Sequence, residues 1–231
     1  MRESDSHQIR SMHLFRDMTD EHFRELTNAA FLQRLPPRVT LITEHERPDF
    51  LHVVAEGAVE LFSRHGKRET TLAICRPVTT FILAAVVGDL PYLASGRTLE
   101  HSRILMLPAE NVRAVFDADA GFARAIVREL SRSFRGVMKE LKSQKLRTSS
   151  QKLANWILMQ AGQCGEKRFQ LPFEKRVLAA LLGMTPENLS RSLAQLRQHG
   201  VSLDRAAFVI DDSARLRAYA NPSPSLDDAE Y

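Results

Sequence analysis

Apolar residues change their spacing twice along this chain, near Val39 and again after Pro108. Each change marks a change of element. Residues 1–30 read as short helices, with Phe23, Leu26 and Ala30 recurring at helical spacing and Thr19 placed to cap the run. From Val39 to Leu107 short β-branched runs take over: RVTLITE, FLHVVAEGAVELFS, ETTLAIC and SRILMLP, broken by turn chemistry at Arg47-Pro48-Asp49, His65-Gly66-Lys67 and Ser95-Gly96. Strands at such regular intervals predict a small antiparallel sandwich or barrel. Beyond Pro108, the residues Phe122, Ile126, Leu130, Phe134, Val137 and Leu141 step by three or four, flanked by Arg124, Arg128, Arg132 and Arg135. That spacing predicts a long amphipathic helix over 117–146, roughly 40 Å at 1.5 Å per residue. It either covers the sandwich or meets the same helix of a second subunit.

The polar stretch KLRTSSQK reads as a hinge into a second, smaller domain over 147–220. Helical pattern resumes at LANWILMQAG and stops at Gly162 and Gly165. In FEKRVLAALLGMTPENLSRSLAQLRQHGV two helices follow, separated by Gly183-Met184. Leu178, Leu181 and Leu182 form one apolar stripe, and Leu189, Leu193 and Leu196 form the other. Gly183 suits a tight interhelical turn, Thr185 can cap the second helix and Pro186 fits its first position. This is the pattern of a helix-turn-helix. In that motif the start of the second helix enters the major groove, which points to Thr185, Pro186, Glu187, Ser190 and Arg191 as the DNA-contacting residues. Arg191 can donate two hydrogen bonds to a guanine, Glu187 can accept from a cytosine amino group, and Ser190 can approach a thymine or a phosphate. SLDRAAFVIDD alternates weakly and reads as a two-stranded wing with Arg205 near its tip. Residues 221–231, with two prolines and several acids, read as a disordered tail.

Composition narrows the field. At 231 residues the chain is long enough for two cores. Its 44% hydrophobic and 26% charged content is that of an ordinary globular protein. No apolar run reaches the roughly 20 residues that span a bilayer, and the start MRESDSHQIRSMHLF is polar, so a cytoplasmic protein is expected. Two cysteines, Cys75 and Cys164, are too few for a disulfide framework or a thiolate cluster. The basic pI of about 9.3 agrees with a polyanion partner.

Over residues 8–219 these features together resemble the CRP/FNR superfamily of bacterial transcription regulators. FLHVVAEGAVELFSRHGKRETTL is similar to the second and third strands of its sensor roll, with Gly57 at the turn. LLGMTPENLSRSLAQL, with Glu187, Ser190 and Arg191 in a Glu-x-x-Ser-Arg pattern, is similar to the FNR-type reading helix. The resemblance implies an α+β fold: an N-terminal double-stranded antiparallel β-roll of the cyclic-nucleotide-binding type over 1–116, a dimerisation helix over 117–146 and a winged helix-turn-helix over 147–220. It further implies a non-enzymatic, homodimeric regulator of double-stranded DNA. Such a protein would read a palindrome of TTGAT-like half-sites and work with RNA polymerase.

The signal is where the chain departs from that family. Cyclic-nucleotide binders carry a Gly-Glu pair after the roll's DF turn; here TTFILAAVVGD places Leu83 and Ala84 there. Arg97-Thr98 remains downstream, but a phosphate held by Arg97 would have no glutamate partner from that clamp and a largely apolar neighbourhood, so no cyclic nucleotide is expected. Residues 1–40 hold no cysteine, so no iron–sulfur cluster is expected. The apolar stretch containing Phe81, Leu83 and Val86 is the candidate effector pocket. Haem is the alternative effector, with His52 and His101 as candidate axial ligands among His45, His52, His65, His101 and Cys75. A cupin-like metal enzyme is a third and remoter reading, because no His-x-His followed by Glu occurs.

Overall fold

Two glycines fix the path of the chain where a side chain has no room. A Cβ on Gly57, at φ +86°, would lie 2.6 Å from the His101 carbonyl oxygen, and one on Gly121 would lie 1.9 Å from that of Asp17. The first closes a strand turn, and the second lets a helix start pack against the N-terminal segment. The computed structural model describes residues 3–205 and 207–228.

Two short helices, α1 (Glu3–Arg10) and α2 (Asp20–Asn28), precede the strands, and the predicted cap Thr19 accepts from the His22 backbone. Eight strands follow: β1 (Phe31–Leu35), β2 (Thr40–Ile42), β3 (Phe50–Glu56), β4 (Val59–His65), β5 (Arg68–Cys75), β6 (Thr79–Phe81), β7 (Ser95–Thr98) and β8 (Ser102–Pro108), with helix α3 (Leu83–Gly88) between β6 and β7. They form two antiparallel four-stranded sheets, ordered β1-β8-β3-β6 and β2-β7-β4-β5. Alternation along each strand sends successive side chains to opposite faces. Val54 and Ile104 thus join Ile42, Val59 and Phe81 in one core, while Val53 and Leu105 join Phe15, Leu26, Leu83, Val86 and Phe122 in another.

Helix α4 (Ala109–Ala118) ends at Asp119 and α5 (Ala120–Leu146) begins directly after it. The long helix therefore starts three residues later than its apolar spacing suggests. Asp119 is the reason: its carboxylate accepts from the Phe122 backbone at 2.8 Å and caps α5.

The remaining elements are α6 (Ser149–Cys164), β9 (Arg168–Gln170), α7 (Lys175–Leu181), α8 (Pro186–Leu196), a 3-10 turn (Arg197–His199), β10 (Val201–Asp204), β11 (Ala207–Ile210), α9 (Ser213–Ala220) and α10 (Pro224–Asp227). The expected hinge shrinks to Arg147-Thr148. Thr148 and Gln151 form a capping box, so the serines of the polar stretch open α6 instead of loosening the chain. Gly162 lies inside α6, and Gly165, at φ +69°, ends it. The wing has a third strand, β9, in the order β10-β11-β9. Trp156 on α6 anchors this part of the chain against Phe169, Phe173 and Phe208. The tail expectation needs correction, since residues 224–227 form a helical turn; residues 229–231 lie outside the described residues. The chain divides into two compact units, 1–134 and 135–231, with the division inside α5.

Candidate nucleic-acid interface

The reading helix is built from local signals that agree. The Thr185 hydroxyl accepts from the Asn188 backbone at 3.2 Å, and Pro186 occupies the first position of α8, where its missing N–H costs nothing. Gly183 turns the chain at φ +64°, and the Met184 N–H donates to the Ala179 carbonyl at 2.9 Å to close the end of α7. Leu178, Leu182, Leu189 and Leu196 are buried and Leu181 and Leu193 half-buried, as their spacing predicts. Each fully buried leucine contributes about 2 kcal/mol.

On the opposite face Thr185, Pro186, Glu187, Ser190, Arg191 and Ala194 are exposed. The structure brings all five predicted contact residues to one end of α8. Hydrogen bonds from the Thr185 hydroxyl and its own backbone N–H, with the nearby Arg191 charge, hold the Glu187 carboxyl below its usual value. It is therefore an acceptor only. Ser190 donates its hydroxyl to the Pro186 carbonyl at 3.0 Å. Arg191 donates to the side-chain oxygen of Asn188, one turn earlier, so its fork is aimed by a residue that sequence reasoning passed over. The i, i+3 spacing of Asn188 and Arg191 was the signal available.

The far end of α8 is tied down. Gln195 accepts from Ser150 at 2.7 Å and donates to the Tyr219 hydroxyl at 2.9 Å, joining α8 to α6 and α9. At the wing tip Arg205 follows β10 with φ +56°, and Arg168 pairs with Asp204 at 2.7 Å.

The sensor candidates do not converge. Phe81 belongs to the core between the sheets, whereas Leu83 and Val86 belong to the core under the helices, and all three are buried. His52 is 3% exposed, its ring stacked on Phe81 at 5.3 Å, and His101 is exposed. His52 pairs with Met106 in the sheet, so His101 lies five residues along, about 17 Å away at the rise of a strand. Burial lowers the His52 pKa to about 4 against a hydrogen bond with the Phe50 backbone, which leaves a neutral ring whose Nε2 has no partner.

The apolar neighbourhood expected around Arg97 needs correction, because charged groups surround it. Arg97 on β7 lies directly opposite Glu60 on β4 and bonds it at 2.8 Å. It also bonds Glu69 at 2.8 Å and lies 4.1 Å from the Phe62 ring centroid. Two carboxylates already surround this guanidinium. Among the described residues no group of three His, Cys, Asp or Glu is placed to hold a metal ion, and no helix is long and apolar enough to cross a membrane.

Comparison with known proteins covers both units. Residues 32–119 match a family model described as a cyclic nucleotide-binding domain, and residues 151–219 one described as a Crp-like helix-turn-helix domain. No curated protein matches the chain. FixK2 from Bradyrhizobium japonicum is 18% identical, with TM-score 0.72 over 82% of this chain and 96% of that one. A protein from Eubacterium rectale assigned to the crp/fnr family of transcriptional regulators is 17% identical, with TM-score 0.75 over 90% and 98%. A CooA variant from Carboxydothermus hydrogenoformans is 18% identical, with TM-score 0.69 over 84% and 88%. At these identities the three structures report a shared fold.

Proposed function

The chain belongs to the CRP/FNR family of DNA-binding transcription regulators, with an effector-type roll ahead of its helix-turn-helix, and on that premise we propose that it is a cytoplasmic homodimer reading a palindrome of TTGAT-like half-sites. The observation that carries this reading is helix α8: three buried or half-buried leucines, Leu189, Leu193 and Leu196, behind, and Glu187, Ser190 and Arg191 exposed together in front. Arg191 takes the guanine, Glu187 a cytosine amino group, Ser190 a thymine or phosphate, and Thr185 with Pro186 the adjacent backbone. Arg205 at the wing tip adds a phosphate contact.

The dimer forms along α5. Val127, Leu130, Phe134, Val137 and Leu141 repeat at alternating intervals of three and four, the seam of a two-stranded coiled coil. Val127, Phe134, Val137 and Leu141 are 57%, 67%, 65% and 45% exposed, a row of large apolar side chains that a lone helix in water leaves uncovered. RNA polymerase is the further partner that the family suggests.

The roll answers to something other than a cyclic nucleotide. A phosphate at Arg97 would compete with the carboxylates of Glu60 and Glu69 that already bond it. Against haem stands the placement of its buried candidate ligand: His52 stacks its ring on Phe81 inside the sheet, although its Nε2 has no partner.

The deciding experiment is fluorescence anisotropy of the purified protein on a labelled TTGAT palindrome, the single half-site and a scrambled duplex across a salt series. Tight, salt-sensitive and palindrome-dependent binding supports the reading. Equal affinity for all three duplexes overturns it.

A further inference from the structure

The segment after α9 has a job that its composition hides. Arg147, in the two-residue break between α5 and α6, grips Asp227 with both arms of its guanidinium, at 2.7 and 2.5 Å. The two side chains are only 9% and 26% exposed. Lys142 donates to the Ser225 hydroxyl at 2.9 Å, and Lys139 to the Asp228 carbonyl. Asp227 also accepts from the Ser223 backbone at 2.6 Å, which closes the turn on itself. Burial works against the charge of Asp227, but Arg147, the Ser223 N–H and Lys139 keep its carboxyl below the usual value.

A different face of the same turns is also held. Gln144 accepts from Lys152 of α6 at 2.6 Å, and its side-chain oxygen lies 2.6 Å from where Gly183, in the helix-turn-helix turn, would carry a Cβ. Lys139 and Lys142 are turned away from the stripe of Phe134, Val137 and Leu141. The segment therefore leaves the proposed dimer seam free.

We propose that residues 223–228 are a strap that fixes the end of α5 to the DNA-binding domain, with Arg147 and Asp227 as positioning residues for binding to two half-sites. Across a two-residue break the Gln144 contacts alone would leave the domain freer to swing on α5. A protein that must engage two half-sites at one spacing then loses affinity in ordering that swing, whereas engagement of one half-site does not. The strap removes the freedom beforehand. The inference rests on the dimeric operator reading for its consequence, but not for its structure.

The test uses the full chain as wild type, Asp227→Ala, Asp227→Arg and the charge swap of Arg147→Asp with Asp227→Arg. Hydrogen exchange without DNA reads the strap itself: Asp227→Ala is expected to speed exchange of the amides at 147–151 about tenfold. On DNA, the same variant is expected to lose about tenfold on the palindrome, hold within about twofold on the half-site, and relax its preference for half-site spacing, with the charge swap recovering most of each. Unchanged exchange overturns the strap, and so does an equal loss on palindrome and half-site, which would be general damage to the domain. A wild type without palindrome preference would instead count against the operator reading, and the exchange data would still decide the strap.

Discussion

Thr19 and Asp119 stand 100 residues apart in sequence, and both the backbone N–H and the hydroxyl of Thr19 donate to one Asp119 carboxylate oxygen, at 2.9 and 3.0 Å. His22 Nδ1 lies 3.0 Å from the same oxygen, and the Phe122 N–H donates to the other at 2.8 Å. One buried carboxylate thereby caps α5 and anchors the start of α2. Burial alone would raise its pKa; the hydrogen bonds from Phe122, Thr19 and His22 win and hold it far below the ordinary value.

Asp119→Ala should lower the stability of the N-terminal unit by about 2–4 kcal/mol, read as an earlier urea midpoint. The sign of the pH effect follows. A carboxyl with a depressed native pKa stabilises the fold above its unfolded value near 3.9, and that contribution drains away as pH falls further. The wild type should lose stability below about pH 4 more steeply than Asp119→Ala. Parallel acid limbs for the two proteins would remove Asp119 from this role.

His52 sets a second, separate window. Its native pKa of about 4 lies below the unfolded value of 6.5, so the unfolded chain takes up the proton first. Stability should therefore fall as pH drops from 6.5 towards 4, by at most roughly 3 kcal/mol. His52→Phe keeps a ring against Phe81 and removes the titration, so its stability between pH 4 and 6.5 should be flatter than that of the wild type. An equally sloped profile in the variant would assign the slope to other groups.

Arg97 is a structural ion. Glu60 is 2% exposed and holds a Thr71 hydroxyl at 2.6 Å as well as Arg97, so Arg97→Ala strands a buried charge and should cost about 3 kcal/mol. Cyclic AMP or cyclic GMP at millimolar concentration should leave the melting temperature of the wild type unmoved. A rise that disappears in Arg97→Ala would instead place a nucleotide site at Arg97.

What was legible in the sequence was what is local. Gly183, Thr185, Pro186 and two leucine stripes lie within 20 residues of one another, and the structure places them as their chemistry predicts. What was illegible depends on partners far away. The order of 224–227 comes from Arg147, 80 residues earlier, and the break at Asp119 from Thr19. The carboxylates of Arg97 depend on strand register, which composition does not reveal. Phe81 and Leu83 look like one apolar patch, yet a strand end and a helix start send them into different cores.

The α5 seam gives a prediction about assembly. Phe134 and Val137 are exposed on the unit that carries each of them, and neither joins a core cluster. Replacing both by glutamate should leave the melting temperature within a few degrees and turn a dimer into a monomer in light scattering. Two added charges facing each other across the seam would repel there. A double variant that stays dimeric would place the interface elsewhere.

Arg191 and Arg205 should fail in different ways, and the difference tests the division between reading and gripping. Arg191 is aimed by Asn188 from the exposed face of α8, so Arg191→Ala should cost about 1–3 kcal/mol on the palindrome and make the guanine position of the half-site tolerant of substitution. Asn188→Ala should produce a weaker version of the same relaxation, because the guanidinium loses its guide and keeps its charge. Arg205 sits on the wing turn, so Arg205→Ala should weaken every duplex alike and reduce the salt dependence by about one counterion per subunit. Competition binding against a panel of single-base half-site variants at two salt concentrations separates the outcomes. Full base preference in Arg191→Ala would move the reading role to Glu187 and Ser190 alone.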